Sequence, residues 1–131
     1  MFVIRVLAYL WASPYTLLGL TIGLMLGGKL KIVEGVFELH GRGISWVLAH
    51  LPVSAAAMTI GHTVWGRTPE HLDRTRFHER VHVRQFERWG FFMGAAYVAA
   101  SLYLYLRGRD YYRDNPFEVE AYSAERQNQL R

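Results

Sequence analysis

The stretch Arg76-Phe77-His78-Glu79-Arg80-Val81-His82 concentrates the chemically reactive side chains of the chain, because His78, Glu79 and His82 form an HExxH motif. On a helix, two side chains four residues apart project from one face about one turn apart, so both histidines can bind one metal ion. Glu79 points roughly 100° away from His78 and can reach a water at that ion without being a ligand. The motif also arises by chance, so the surrounding sequence has to decide its meaning.

The residues around the motif favour a long helix. Thr68-Pro69-Glu70 is typical of a helix start, with Thr as N-cap, Pro at the first position and an acid in the first turn. Gly90 is typical of a helix end. We therefore predict a helix over residues 69–89. At 100° per residue, one arc of roughly 60° contains His71, Thr75, His78, His82 and Trp89. This places both motif histidines on the inward face, with most charged residues opposite.

A catalytic zinc normally has three protein ligands, so a third must come from elsewhere in the chain. The last predicted helix, which begins at Asn115-Pro116 and runs to the C-terminus, offers Glu118 and Glu120. These two side chains point about 200° apart, so at most one can bind the metal, and Glu118 lies nearer the apolar side of the helix. The Asn115 to Glu118 spacing also fits a capping box, in which Glu118 would serve only the helix N-terminus.

Composition limits the class of protein. A chain of 131 residues is enough for one domain with a modest hydrophobic core. The absence of Cys excludes a disulfide scaffold and any Cys-ligated zinc site. The net charge is +4, but basic residues are mixed with acidic ones and form no run interleaved with aromatics. We therefore predict no nucleic-acid partner.

Residues 6–28 contain no Asp, Glu, Lys or Arg, a stretch longer than the roughly 20 residues that cross a bilayer as a helix. A retained membrane helix is the favoured interpretation, and a buried or interfacial helix and a signal peptide are the alternatives. All Lys and Arg residues except Arg5 follow Gly28, which places the body of the protein on the cytoplasmic side. The division is then an N-terminal hydrophobic helix, residues 1–28, and a metal-binding domain, residues 29–131.

The segments between these helices favour an α+β fold. Residues 29–40 predict a hairpin turning at Glu34-Gly35, and residues 44–50 a short helix. Residues 57–65 predict one further strand, and residues 91–106 an uncharged helix too short for a regular span. The sequence thus predicts a small antiparallel sheet of about three strands with a metal-site helix bundle. Gly19, Gly23 and Gly27 form a small-residue stripe on the first helix, for helix packing either in a membrane or within this protein.

The pattern of His78-Glu79-x-x-His82, Gln85 and a later helix containing Glu118-x-x-Ala121 resembles the gluzincin branch of the zincin metallopeptidases, over about residues 57–122. The resemblance implies a Zn²⁺ cofactor, His78, His82 and Glu118 as ligands, and Glu79 as general base. It also implies that the strand at residues 57–65 forms the substrate-binding edge.

One position departs from that family, many of whose members have Asp four residues after the ligand Glu, where it orients a ligand His. This chain has Tyr122 there. Either Tyr122 takes that role or another group such as Asp110 or Asp114 does.

The chemistry that such a site supplies is hydrolysis. Zinc lowers the pKa of its water toward roughly 7, and Glu79 takes the proton and returns it to the leaving amine. Tyr111, Tyr112 and His62 are candidate donors to the oxyanion, although each is also explained as an ordinary core or surface aromatic residue.

Three functional hypotheses follow. The first is a membrane-associated zinc metallopeptidase acting on a peptide or protein substrate. The second is a non-catalytic membrane protein in which the motif is structural or accidental. The third is a zinc hydrolase of a non-peptide substrate such as a lipid amide. Glu79 separates the second hypothesis from the others, because only a hydrolase needs its carboxylate. Substrate profiling separates the first from the third.

Overall fold

The computed structural model describes the whole chain, Met1–Arg131, and has an α+β fold, which confirms the predicted class. In chain order the elements are α1 (Phe2–Met25), β1 (Lys29–Val33), β2 (Val36–His40), α2 (Arg42–Ala49), β3 (Ala57–Ile60), β4 (Thr63–Gly66), α3 (Pro69–Trp89), a 3-10 turn (Gly90–Phe92), α4 (Met93–Leu106) and α5 (Pro116–Gln129).

The sheet has four strands in the order β1-β2-β4-β3, one more than the sequence predicted. The stretch predicted as a single strand over residues 57–65 is a hairpin, because Gly61 has a φ of 66° and the chain reverses between Ile60 and Thr63. A glycine with positive φ at the first central position suits the tight turns of two-residue hairpins. The prediction of a purely antiparallel sheet was also wrong, since β4 pairs with β2 in parallel.

The two faces of the sheet pack on different helices. Val36 and Val64 face α3, where they form a buried cluster with Leu72 and Val83. On the opposite face, a second buried cluster joins strands to α2 and consists of Leu39, Ile44, Leu48 and Trp65. The alternation of residues along β2 and β4 sends neighbouring side chains to opposite faces, so one short sheet supports helices on both sides.

Helix α1 packs on the second face through its glycines. A side chain at Gly19 would lie 3.0 Å from Ile60 Cβ, and one at Gly23 would lie 2.9 Å from the Trp65 indole nitrogen, which donates to the Gly19 carbonyl at 2.9 Å. Two glycines of the predicted stripe therefore contact strands of this protein rather than another helix. Pro14 lies within α1 without ending the helix.

Helix α3 is also held to the sheet by a buried carboxylate. Glu38 of β2 is fully buried and accepts hydrogen bonds from Arg76 at 2.8 and 2.9 Å and from Arg80 at 3.1 Å. The helical pattern predicts most charged residues of α3, Arg76 and Arg80 among them, on the outer side, opposite the motif histidines. Both arginines instead flank the sheet, because the buried carboxylate requires compensating charge.

Two helical stretches are long and apolar enough to cross a membrane by length and composition: α1, and the continuous stretch Pro69–Leu106, whose uncharged part is residues 89–106. Much of their apolar surface is unpartnered within the chain. The exposed side chains include Leu7, Leu10, Leu17, Leu18, Phe91, Phe92, Val98 and Leu102.

Candidate metal centre

His78 and His82 lie on the buried side of α3, as the sequence predicted. The helix begins where Thr68 accepts a hydrogen bond from the His71 amide and continues to Trp89 without interruption. Successive turns therefore place the two imidazoles together, with their Nε2 atoms 3.2 Å apart. His71 lies at the start of the helix, where its ring nitrogen is bonded to the Thr68 hydroxyl, and it does not take part in the cluster.

Glu118 completes a three-residue cluster with the two histidines. Its Oε2 lies 3.3 Å from His78 Nε2, and its Oε1 lies 3.2 Å from His82 Nε2. We call His78, His82 and Glu118 the ligand cluster; all three are buried. Glu120 is excluded, because its side chain is about half exposed and pairs with Arg88.

The capping-box alternative for Glu118 is not realised. Asn115 caps α5 alone, accepting from the Phe117 amide at 3.0 Å. The Asn115 amide donates to the Tyr112 carbonyl, so it does not need the Glu118 side chain. Asn115 is itself fixed, because its Nδ2 donates to the Tyr97 carbonyl and the Ser101 hydroxyl of α4. The cap thus directs the first turn of α5, and Glu118 with it, toward α3.

The outer nitrogens of both imidazoles are already bonded. Gln85 Nε2 donates to the Phe117 carbonyl at 2.9 Å, which leaves Gln85 Oε1 to accept from His82 Nδ1 at 2.8 Å. Glu125 Oε2 accepts from His78 Nδ1 at 3.1 Å. With the proton on Nδ1, each neutral imidazole presents the lone pair of Nε2 to the centre of the cluster.

The spacing of the donor atoms in the cluster fits a zinc ion. Ligands about 2.0–2.1 Å from a tetrahedral zinc are separated from one another by roughly 3.3 Å. The two imidazole Nε2 atoms are 3.2 Å apart, and the nearer Glu118 oxygen lies 3.2 Å from His82 Nε2 (Oε1) and 3.3 Å from His78 Nε2 (Oε2). Glu118 Oε2 is also buried without any hydrogen-bond partner of acceptable geometry. Two imidazole lone pairs and a buried carboxylate repel one another unless a cation lies between them, and the donor set is the kind that zinc prefers.

The shifted pKa values of His82 and Glu118 show the same preference of the cluster for positive charge. Burial opposes protonation of His82, but the bond to Glu118 and the neighbouring carboxylates outweigh it and raise the pKa of His82 to about 9. Burial likewise opposes ionisation of Glu118, but His78 and His82 outweigh it and lower the pKa of Glu118 to about 2. Without a metal, a proton on the imidazoles supplies the charge that an ion would otherwise supply.

Glu79 lies beside the cluster but is not a member of it. Its carboxylate is buried and accepts a hydrogen bond from the Thr59 hydroxyl of β3 at 2.7 Å. Burial raises the pKa of Glu79, although both histidines and the Thr59 bond act in the opposite direction. A carboxylate held in place with a raised pKa has the properties of a general base.

The group that orients His78 is not among the residues that the sequence suggested for this role. The partner is Glu125, seven residues after Glu118 and therefore on the same face of α5 two turns later. Tyr122 instead lays its ring against His78, with centroids 4.5 Å apart, and its hydroxyl bonds to that of Tyr112. Asp110 and Asp114 serve backbone amides of the exposed turn before α5, so proposing them for this role was wrong.

Two of the three candidate oxyanion donors lie at the site. Tyr111 and Tyr112 line a cavity of about 560 Å³ that contains Glu79 and the ligand cluster, hereafter the site cavity. His62 does not line it, because its buried ring bonds to Glu87 and stacks on Tyr9 of α1. Tyr97, which the sequence did not single out as a site residue, donates its hydroxyl to Glu118 Oε1 at 3.0 Å.

Strand β3 forms one side of the site cavity and is one of the two edge strands of the sheet. It pairs with β4 alone, so its other edge carries unpaired backbone donors and acceptors. The expected edge strand is therefore only Ala57–Ile60, the first half of the predicted one.

Comparisons with known proteins do not identify the chain. No family model matches it, and neither the curated proteins nor the solved structures contain a match. The resemblance to gluzincins therefore stays a prediction.

Proposed function

We propose that this protein is a membrane-attached, zinc-dependent peptidase. The observation that carries the proposal is the ligand cluster, in which two imidazole nitrogens and the Glu118 carboxylate lie 3.2–3.3 Å from one another, close to the spacing of zinc ligands, beside the buried Glu79. When bound, zinc would act as a Lewis acid that lowers the pKa of a coordinated water to about 7 and polarises a carbonyl.

Glu79 is the proposed general base. Its carboxylate takes the proton of the attacking water and returns that proton to the nitrogen of the leaving amine, so the same group acts first as base and then as acid. The Thr59 hydroxyl holds the carboxylate in one orientation. Burial, which raises the pKa of Glu79, brings its basicity closer to neutral pH.

Two further groups support binding and charge stabilisation. The free edge of β3 can pair with an extended peptide, because its unpaired amides and carbonyls match those of another strand. Tyr112 lines the site cavity and its hydroxyl bonds only to that of Tyr122, so it is the proposed donor to the oxyanion. Tyr97 is the less suitable donor because its hydroxyl already bonds to the ligand carboxylate.

The test combines metal content with hydrolysis, using the full chain in detergent micelles. We expect one zinc per chain, lost in His78→Ala and kept in the control His50→Ala, whose ring is exposed and stacks on Trp46. In Glu79→Gln the Thr59 bond is retained, so zinc should remain while peptide hydrolysis falls about 10²–10⁴-fold. Absence of zinc, or a Glu79→Gln variant as active as the wild type, would refute the proposal.

Membrane attachment is proposed to run through α1 and residues 89–106, with the remaining surface on the cytoplasmic side. The exposed apolar side chains of both segments and the position of the basic residues after Gly28 support this arrangement. The chain has no Cys, so a single Gln129→Cys substitution on exposed α5 gives a clean label site. In intact cells a membrane-impermeant maleimide should leave this cysteine unlabelled, and labelling would place it on the outer side.

A further inference from the structure

The site cavity contains little that would bind a charged substrate. Apart from tyrosine hydroxyls, its only ionisable side chains are Glu79 and the ligand cluster, and no Lys, Arg or Asp lines it. The rest of its surface is mostly apolar, with contributions from Leu18, Leu51, Met58, Phe86, Met93 and Val98. A charged substrate side chain would lose its hydration there without gaining a partner, whereas a large apolar side chain would gain from burial.

The cavity opens toward the apolar helices. Leu18 of α1 is 52% exposed and Val98 of α4 is 64% exposed, yet both line the cavity, so they lie at its mouth. The same two helices expose further apolar side chains beyond the mouth. Tyr15, which also lines the cavity, joins α1 to the start of α4, since its hydroxyl donates to the Phe91 carbonyl and accepts from the Gly94 amide. An apolar substrate can therefore pass from the surface of these helices into the site without crossing a charged rim.

The backbone of β3 indicates which kind of apolar molecule the cavity binds. All four residues of β3 line the cavity, and its free edge offers hydrogen bonds to an extended main chain. An acyl chain has no groups to use those bonds, but a peptide uses them at every second residue.

We propose that the substrate is an extended segment of a membrane-associated polypeptide, bound along β3 with bulky apolar side chains in the site cavity. This inference rests on the proposed peptidase function and names its substrate class. Recognition comes from the apolar lining, and entry into the cavity is lateral, between Leu18 and Val98.

The first experiment measures specificity with quenched-fluorescent peptides that differ only in the residues flanking the scissile bond, which are Leu, Phe, Ser or Asp. Wild-type full chain in detergent micelles should cleave the Leu and Phe peptides about 10- to 100-fold faster, in kcat/KM, than the Ser peptide, and the Asp peptide more slowly still. Equal rates across the series, or faster hydrolysis of an N-acyl amide lacking a peptide chain, would overturn the inference.

The second experiment tests the mouth with matched substitutions on the apolar helices. Leu18→Gln and Val98→Gln should each lower kcat/KM for the Leu peptide about three- to tenfold, with zinc content unchanged, because a polar group then lines the cavity. Leu17→Gln and Leu102→Gln are the controls, since both residues are exposed on the same helices but do not line it. If the controls lose as much activity as the mouth variants, the helices act only as membrane anchors and the inference fails.

A binding measurement separates this inference from the proposed function. Zinc-loaded Glu79→Gln, titrated with the same labelled peptides, should bind the Leu peptide about 10- to 100-fold more tightly than the Asp peptide. Selective binding without hydrolysis in the wild type would refute the peptidase proposal and keep the recognition of apolar segments. Hydrolysis without selectivity would keep the peptidase and refute the recognition.

Discussion

Replacing Glu118 by Gln removes the negative charge of the ligand cluster while keeping the size of the side chain. The matched control is Glu120→Gln, two residues later on the opposite side of the same helix, where the side chain is about half exposed and pairs with Arg88. Because only Glu118 faces the histidines, only its substitution should weaken zinc binding.

Two opposing effects determine how much Glu118→Gln weakens zinc binding. Four-ligand zinc sites bind with about 10–16 kcal/mol, so one ligand is worth about 3 kcal/mol, or on the order of 100-fold in affinity. Burial lowers the pKa of His82, but Glu118 above all, with Glu79 and Gln85, outweighs burial and raises this pKa to about 9, so zinc must displace a proton at neutral pH. At pH 7 that displacement weakens wild-type binding by about 100-fold, and at pH 9 by about twofold. Without Glu118 the pKa of His82 should fall, which removes most of this competition.

The loss of zinc affinity in Glu118→Gln, relative to the wild type, should therefore be about 100-fold at pH 9 and less than about tenfold at pH 7. Competition with a chromophoric chelator in zinc-buffered solution measures both values, and Glu120→Gln should match the wild type at each pH. Wild-type affinity in Glu118→Gln at pH 9, or an equal loss in Glu120→Gln, would show that Glu118 is not the third ligand. An equal loss at both pH values would contradict the account of proton competition.

Three further predictions concern the surroundings of the cluster. Glu125→Gln should weaken zinc binding about 10- to 100-fold in the same assay, because His78 Nδ1 loses its carboxylate acceptor. In the zinc-free protein, the raised pKa of His82 adds to the free energy of unfolding, fully below pH 6.5, and this contribution is lost as pH rises through about 9. The lowered pKa of Glu118 adds to the free energy of unfolding above pH 4.5, and this contribution is lost as pH falls toward about 2. Thermal unfolding should therefore show a plateau of greatest stability between about pH 4.5 and 6.5, with lower stability near pH 9 and near pH 2. A melting temperature that stays constant from about pH 2 to pH 9 would refute the pairing. Gly23→Val should lower the free energy of unfolding by about 1–3 kcal/mol because the new side chain meets Trp65, while Leu24→Val on the exposed side should have little effect in the same denaturation assay.

The features that the sequence predicted well depend on local interactions. Thr68, Pro69 and Gly90 act within one turn of their own position, and they set both ends of α3. Glu34-Gly35 fixes the first hairpin in the same way, since both residues have positive φ. The inward face of His78 and His82 follows from helical geometry once the helix is known.

The features that were missed depend on partners far away in the sequence. The parallel pairing of β2 with β4 joins residues about 26 positions apart, and no local pattern specifies it. Arg76 faces the sheet only because Glu38, 38 residues earlier, is buried there. The hairpin at Gly61 carried a local signal, a glycine within a strand pattern, which indicates a turn or bulge as often as a continuous strand.

Glu125 was missed for a different reason, because the resemblance directed attention to the position four residues after Glu118. The next turn of the same helix face offers an equivalent direction at position 125, and a longer side chain reaches His78 from there. The candidates considered, Tyr122, Asp110 and Asp114, therefore did not include the carboxylate that bonds to His78, although Glu125 lies on the same helix face as Glu118.

The arrangement of the ligands also makes the C-terminal helix dependent on the metal. Two ligands come from α3, which is anchored on the sheet, whereas the third comes from α5, whose only buried side chains are Glu118 and Ala121. A bound ion thus closes a loop of about 36 residues between His82 and Glu118, a closure whose entropy amounts to about 3 kcal/mol. Metal release should therefore appear first as local opening of α5, with faster amide hydrogen exchange over Pro116–Gln129 while the sheet and α3 remain protected.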